Sequence, residues 1–134
     1  MASTFNISNL AASISCNAVT NALSGGSLAL YSGSQPATAD TAITSQTKLV
    51  QVAFGSPAYG TASNGAALAN AIAPSTGLAN GTATWARYLT SAGLAIADGS
   101  VGTSGCDVNL DSTTIQAGAL VTITGGTWVE RKSA

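Results

Sequence analysis

The sequence predicts one mainly β domain led by a helix, folded as an antiparallel sandwich or barrel. Three observations carry this expectation. Apolar residues recur at helical spacing only before residue 26. Beyond it, short β-rich runs are separated by Gly, Ser, Asn and Asp at intervals of about ten residues, as in antiparallel sheets and unlike βαβ units. A chain of 134 residues with 46% hydrophobic content is the size of a single domain and can bury a core. No internal repeat or long linker divides it, so residues 1–26 form a helical N-terminal segment and 27–134 a β-sandwich within one domain, 1–134.

The helix comes first. Ile7, Leu10, Ala11, Ile14, Ala18 and Ala22 repeat at three- and four-residue steps, with Val19 and Leu23 widening the stripe. Asn6 or Ser8 can cap its start, and Gly25-Gly26 can end it. Two roles are open to that stripe: packing on this domain's own sheet, or docking on a partner as an amphipathic arm.

Strands follow. "SLALYSG" puts Leu28 and Leu30 on one face, and "TKLVQVAFG" alternates Val50, Val52 and Phe54 against Leu49, Gln51 and Ala53. Residues 56–77 carry Pro57, Gly60, Gly65 and Pro74, which punctuate an Ala-rich piece into turns. "GTATWARYLT" is the clearest strand, with Ala83, Trp85, Arg87 and Leu89 on one face and Thr82, Thr84, Ala86 and Tyr88 on the other. "GLAIADGSVG", "CDVNLD" and "ALVTITGGTWVERK" complete the set. Asp98-Gly99 reads as a hairpin turn. Trp85 is expected in the core, whereas Trp128 suits either the core or a subunit contact. Arg87 either pairs with an acid, stacks on a ring, or reaches solvent from an edge.

Charge sets the functional expectation. Charged residues make up 7% of the chain, against about 25% in ordinary soluble proteins. A disordered chain is usually rich in charge, so disorder is not the reading. A neutral Ser/Thr/Asn/Ala surface is cheap to desolvate, because no ion has to leave water, and so suits permanent packing against other proteins. No basic cluster exists to neutralise phosphates, which argues against nucleic acid. No apolar run approaches the roughly 20 residues of a membrane span, and "MASTFNISNL" lacks the features of a secretory signal. Synthesis and residence in the cytoplasm of the producing cell follow as the expectation, and with it reduced thiols at Cys16 and Cys106, although one long-range disulfide stays open.

Chemistry is sparse. Histidine is absent, which removes the usual general base and the commonest metal ligand. Of five carboxylates, Asp98 and Asp111 read as turn formers. Asp107 and Asp111 lie four apart around "VNL", but a glycosidase pair needs a sugar-binding aromatic cleft, and the chain has seven aromatic residues in all. No calcium loop, phosphate-cradling loop or base-activated nucleophile is present. The expectation is a protein that is not an enzyme and takes no cofactor or metal.

One surface stands out. The stretch "LYSGSQPATADTA" offers a single charge, Asp40, in thirteen residues. Its Tyr31, Gln35, Pro36 and Asp40, together with Trp128 and Arg131 near the C-terminus, are the candidate assembly interface. A solvated loop is the competing reading of the same stretch.

The run "LALYSGSQPATADTA", then "KLVQVAFGSPAYG", "GTATWARYLTSAGLAIADGSVG" and "DVNLDSTTIQAGALVTITGGTWV" resembles a family of small structural proteins of tailed bacteriophages. It looks most like the capsid cement (decoration) proteins. The resemblance covers roughly residues 28–129 and implies a jelly-roll-like β-sandwich on the outer shell, bridging neighbouring major capsid subunits. It further implies association with copies of itself, often as dimers, with no catalytic residues to carry over. The partners expected are therefore the major capsid protein and other copies of this chain, with no nucleic acid and no membrane. A tail or head-fibre component for host attachment or glycan binding is the alternative.

Overall fold

In a computed structural model, which describes residues 6–129, the chain is mainly β with one N-terminal helix, as the sequence predicts. The order is α1 (Asn9–Ala22), β1 (Ser27–Tyr31), β2 (Lys48–Ala53), β3 (Ala66–Leu68), β4 (Ser75–Thr76), β5 (Gly81–Thr82) and β6 (Trp85–Leu89). β7 (Ala95–Gly102), β8 (Val108–Leu110), β9 (Thr114–Ile115), β10 (Leu120–Val121) and β11 (Ile123–Val129) follow. Seven strands form one curled sheet, a half-barrel in the order β2-β1-β6-β7-β8-β11-β3. Two small sheets, β10-β4 and β5-β9, complete it. Every pairing is antiparallel except β7 with β8.

Ser8 is the helix cap: its hydroxyl oxygen accepts the Ala11 N–H at 3.1 Å. Gly25 (φ 75°) turns the chain out of the helix, and Gly26 then passes so close to the Leu89 carbonyl of β6 that a Cβ has no room. The helix packs on β3 and β11, but not by the predicted stripe. Ala12, Cys16 and Thr20 are buried, whereas Leu10 is 71% and Ile14 62% exposed. Polar demand decides the rotation. Ser13 Oγ accepts the Gly65 N–H (3.0 Å), Asn17 Oδ1 accepts the Ala62 N–H (2.9 Å), and Ser24 Oγ accepts the Ala58 N–H (3.1 Å). Those backbone donors must find partners on folding, and the helix face that supplies them turns inward.

Cross-strand partners share a face, so register sorts the side chains. Leu28 and Leu30 pair with Val52 and Val50 on one side and with Tyr88 and Ala86 on the other, and all six lie in the main core. A bulge between Leu30 and Tyr31 turns Leu49 inward as well, against the simple alternation expected for β2. Phe54 stacks on Tyr88 at 6.3 Å between ring centroids and tilts on Tyr59 at 5.8 Å. Trp128 meets Tyr88 edge to face at 5.3 Å, so this ring packs against the core.

The Asp98-Gly99 hairpin expectation is wrong. Both residues sit inside β7, paired with Arg87 and Ala86 of β6. The turn comes earlier, where the Gly93 N–H (φ 82°) donates to the Thr90 carbonyl and the Thr90 N–H to the Leu94 carbonyl. A charged partner for Arg87 outweighs the local turn preference of Asp-Gly.

Burial pushes the Tyr59 phenol up to about 12 and the Tyr88 phenol higher still. A raised folded-state value means that the fold holds the neutral phenol. Its contribution is fully present below about pH 10, the unfolded value, and is lost as pH rises through about 12. Denaturant midpoints are therefore expected to be flat from pH 8 to 10 and to fall steeply above. Tyr59→Phe should remove about 2–3 kcal/mol of that alkaline loss. An identical pH profile for the variant contradicts the assignment.

Candidate functional site

Face sorting gives the sheet an outer side with its own chemistry. Tyr31 pairs with Trp85, Ala29 with Arg87, and Arg87 with Asp98, so these side chains stand together opposite the core. The Tyr31 and Trp85 rings stack at 4.6 Å with planes 14° apart. The Arg87 guanidinium lies 5.5 Å from the Trp85 ring centre and grips Asp98 through two hydrogen bonds, Nε to Oδ1 at 2.7 Å and Nη2 to Oδ2 at 3.0 Å. Trp85 is buried as expected, at 1% exposure, but it lies outside the main core. Its Nε1 is buried with no hydrogen-bond partner. Arg87 does both of the things a buried arginine can do, pairing and stacking.

Residues 32–47 continue the chain from this face and are tied to it beside Trp85, at Thr84. The segment leaves β1 at Tyr31 and is closed at its base by the Ser32 N–H donating to the Thr47 carbonyl. Thr84 Oγ1 donates to the Gly33 carbonyl (2.6 Å), and Gln46 Nε2 to the Ser34 carbonyl (2.7 Å). Thr38 and Thr41 bond through their hydroxyls at 2.9 Å. The Asp98 hydrogen bond chiefly raises the Arg87 pKa, against desolvation, with Asp40 adding a smaller share from the loop.

The predicted interface residues separate on this scaffold. Tyr31 and Pro36 are half-buried, while Gln35 and Asp40 are exposed along the loop. Trp128 is half-buried on the inner side, across the sheet from Tyr31, and Arg131 lies outside the described residues. Tyr31, Gln35, Pro36 and Asp40 are therefore contiguous in chain and face, and Trp128 does not join them. Cys16 and Cys106 are not joined in a disulfide; 16 is buried and 106 half-buried.

Sequence reasoning missed the apolar exposure. Leu10, Ile14, Leu68, Leu78, Leu94, Leu120 and Val129 are all 60% or more exposed. It also missed a cleft of ≈ 370 Å³ between β7 and β11, bordered by Asp98, Asp107, Thr127 and Val129. Neither leaves a local sequence signal, because both depend on which strands become neighbours. Among the described residues, no three His, Cys, Asp or Glu groups gather as a metal site, and no helix is long and apolar enough to cross a membrane.

Comparison with protein families, curated proteins and solved structures finds no match to this chain.

Proposed function

We propose that this protein is a virion structural protein that binds the outer surface of a tailed-phage capsid and stabilises the shell by bridging major capsid subunits. One observation carries the reading. Six charged side chains fall among the described residues (Lys48, Arg87, Asp40, Asp98, Asp107 and Asp111), and Arg87 and Asp98 neutralise each other out of solvent. Among the described residues, four charged side chains then remain against seven large apolar ones that are exposed. Such a surface costs little to desolvate and gains when covered. The resemblance of residues 28–129 to phage decoration proteins supplies the setting.

The mechanism is linkage. A protein that binds the mature shell better than its separated subunits stabilises the shell, by about 2.7 kcal/mol per site at a free concentration one hundred times Kd. Repeated over a lattice, modest contacts resist internal pressure. Purified particles are expected to contain this chain in a fixed ratio to the major capsid protein, and particles lacking it should lose DNA at lower temperature. A handful of copies per particle with loss of host adsorption would instead identify a fibre component. Sugar affinity of the isolated chain, without particle association, would identify a glycan-binding domain.

A further inference from the structure

We propose that Asn64 is a self-modifying site: it loses ammonia to become aspartate or isoaspartate, at a rate set by how often α1 parts from the hairpin of residues 62–66. Water is the only co-reactant.

The chemistry belongs to the residue pair. In an Asn-Gly step the glycine nitrogen can attack the asparagine Cγ, because glycine carries no Cβ to hinder the approach. At Asn64-Gly65 the amide nitrogen gives up its proton and forms an N–Cγ bond, and the side-chain nitrogen leaves as ammonia. Water then opens the cyclic imide. Opening at the main-chain carbonyl gives isoaspartate, and opening at the side-chain carbonyl gives aspartate. Either product carries a new negative charge near neutral pH.

The fold presents one reacting group and holds the other. Asn64 is exposed and shares with Gly65 the tip of a two-residue hairpin turn, with φ 52° and 81°. Ser63 and Ala66 close the turn, each N–H donating to the other's carbonyl, at 2.8 and 3.0 Å. Gly65 is buried, and its N–H donates to Ser13 Oγ of α1 at 3.0 Å. Beside it the Ala62 N–H donates to Asn17 Oδ1, one helical turn along α1, at 2.9 Å. In the imide the Gly65 N–H is replaced by the N–Cγ bond, so ring closure and the Ser13 hydrogen bond exclude each other. The reaction therefore runs through states in which helix and hairpin have parted, and such local openings are a small fraction of the native population.

Asn80-Gly81 is the same dipeptide in another setting. Asn80 Oδ1 accepts the Ala117 N–H at 2.9 Å, and Gly81 pairs with Ile115 between β5 and β9, so its restraints come from the sheet and not from α1. The chain thus carries its own reference: Asn64 answers to helix docking, Asn80 to the β5–β9 pairing. The products then act on the docking itself. Aspartate keeps the backbone path and tolerates the positive φ. Isoaspartate adds a backbone carbon to a two-residue turn, which cannot keep both Ser63–Ala66 bonds, and the Ala62 and Gly65 donors lose their places against α1. Isoaspartate formation at Asn64 is therefore a one-way release of the helix.

The test incubates the full chain at mildly alkaline pH and follows each asparagine by peptide mapping and mass spectrometry. Asn64 is expected to react about tenfold more slowly in the chain than in the capped peptide Ser-Asn-Gly-Ala. Ser13→Ala and Asn17→Ala should each raise the Asn64 rate about fivefold and leave the Asn80 rate unchanged. In the isoaspartate fraction, separated by its added charge, hydrogen exchange at the Ala62 amide should be faster than in the fresh chain. An Asn64 rate equal to the peptide's, or one that either variant leaves unmoved, overturns the proposal. So does equal acceleration at Asn64 and Asn80, which makes the cause global unfolding, or unchanged exchange at Ala62. If the variants fail to fold, the peptide comparison and the exchange measurement, both on the unaltered chain, decide.

Discussion

Asp98→Ala is expected to cost about 3–5 kcal/mol of folding stability, because it strands a guanidinium that has left water. Arg87 and Asp98 side chains are 8% and 4% exposed, and each fills the other's fork with two hydrogen bonds. Removing the acid leaves Arg87 facing the Trp85 ring, which does not replace a bidentate carboxylate. The variant Asp98→Leu with Arg87→Met should recover most of the loss, since two apolar side chains leave no orphaned charge. Urea denaturation of the three proteins checks this. A loss below about 1 kcal/mol in Asp98→Ala, the range of an exposed pair, sinks the claim that the pair is desolvated.

Trp85→Ala carries the second large effect, about 3–5 kcal/mol, from the cavity that the buried ring leaves. The ring meets both the Tyr31 ring and the Arg87 guanidinium, so two contacts go at once. Trp85→Phe separates packing from hydrogen bonding. It keeps an aromatic face and removes the buried, unpartnered Nε1–H, so its cost should stay under about 1.5 kcal/mol. The loop supplies a second readout. With the ring that Tyr31 stacks on gone, residues 32–47, which begin next to Tyr31, should be cut by protease faster in Trp85→Ala than global stability alone accounts for. Equal cleavage at matched stability shows that the loop holds itself through Thr84, Gln46 and its own hydroxyls.

These two variants also locate the limits of sequence reading. Alternation in "GTATWARYLT" assigned Trp85 and Arg87 to one face correctly, and it made Trp85 a buried residue. Alternation cannot say which face meets the core. The face with Ala86 and Tyr88 does, because Leu28, Leu30, Val50 and Val52 line up with it across the strands. Trp85 is buried on the opposite face instead, against the Tyr31 ring and the Arg87 guanidinium. The Asp98-Gly99 pair shows the same limit from the other side. A local turn signal yields when a cross-strand arginine supplies a stronger partner than the turn does.

By itself the sequence determined that this chain is mainly β with a single N-terminal helix, because periodicity and turn residues are local properties. It also determined a surface poor in ions, since composition does not depend on the fold. Only the tertiary structure decided which side of the helix turns inward, which side of β6 is core, and where the cleft between β7 and β11 lies. Each of those depends on partners distant in sequence: the Gly65 and Ala62 amides for the helix, Leu28 and Leu30 for β6, and residues 127–129 beside 97–99 for the cleft. Pairing energy between remote residues has no signature at either residue alone.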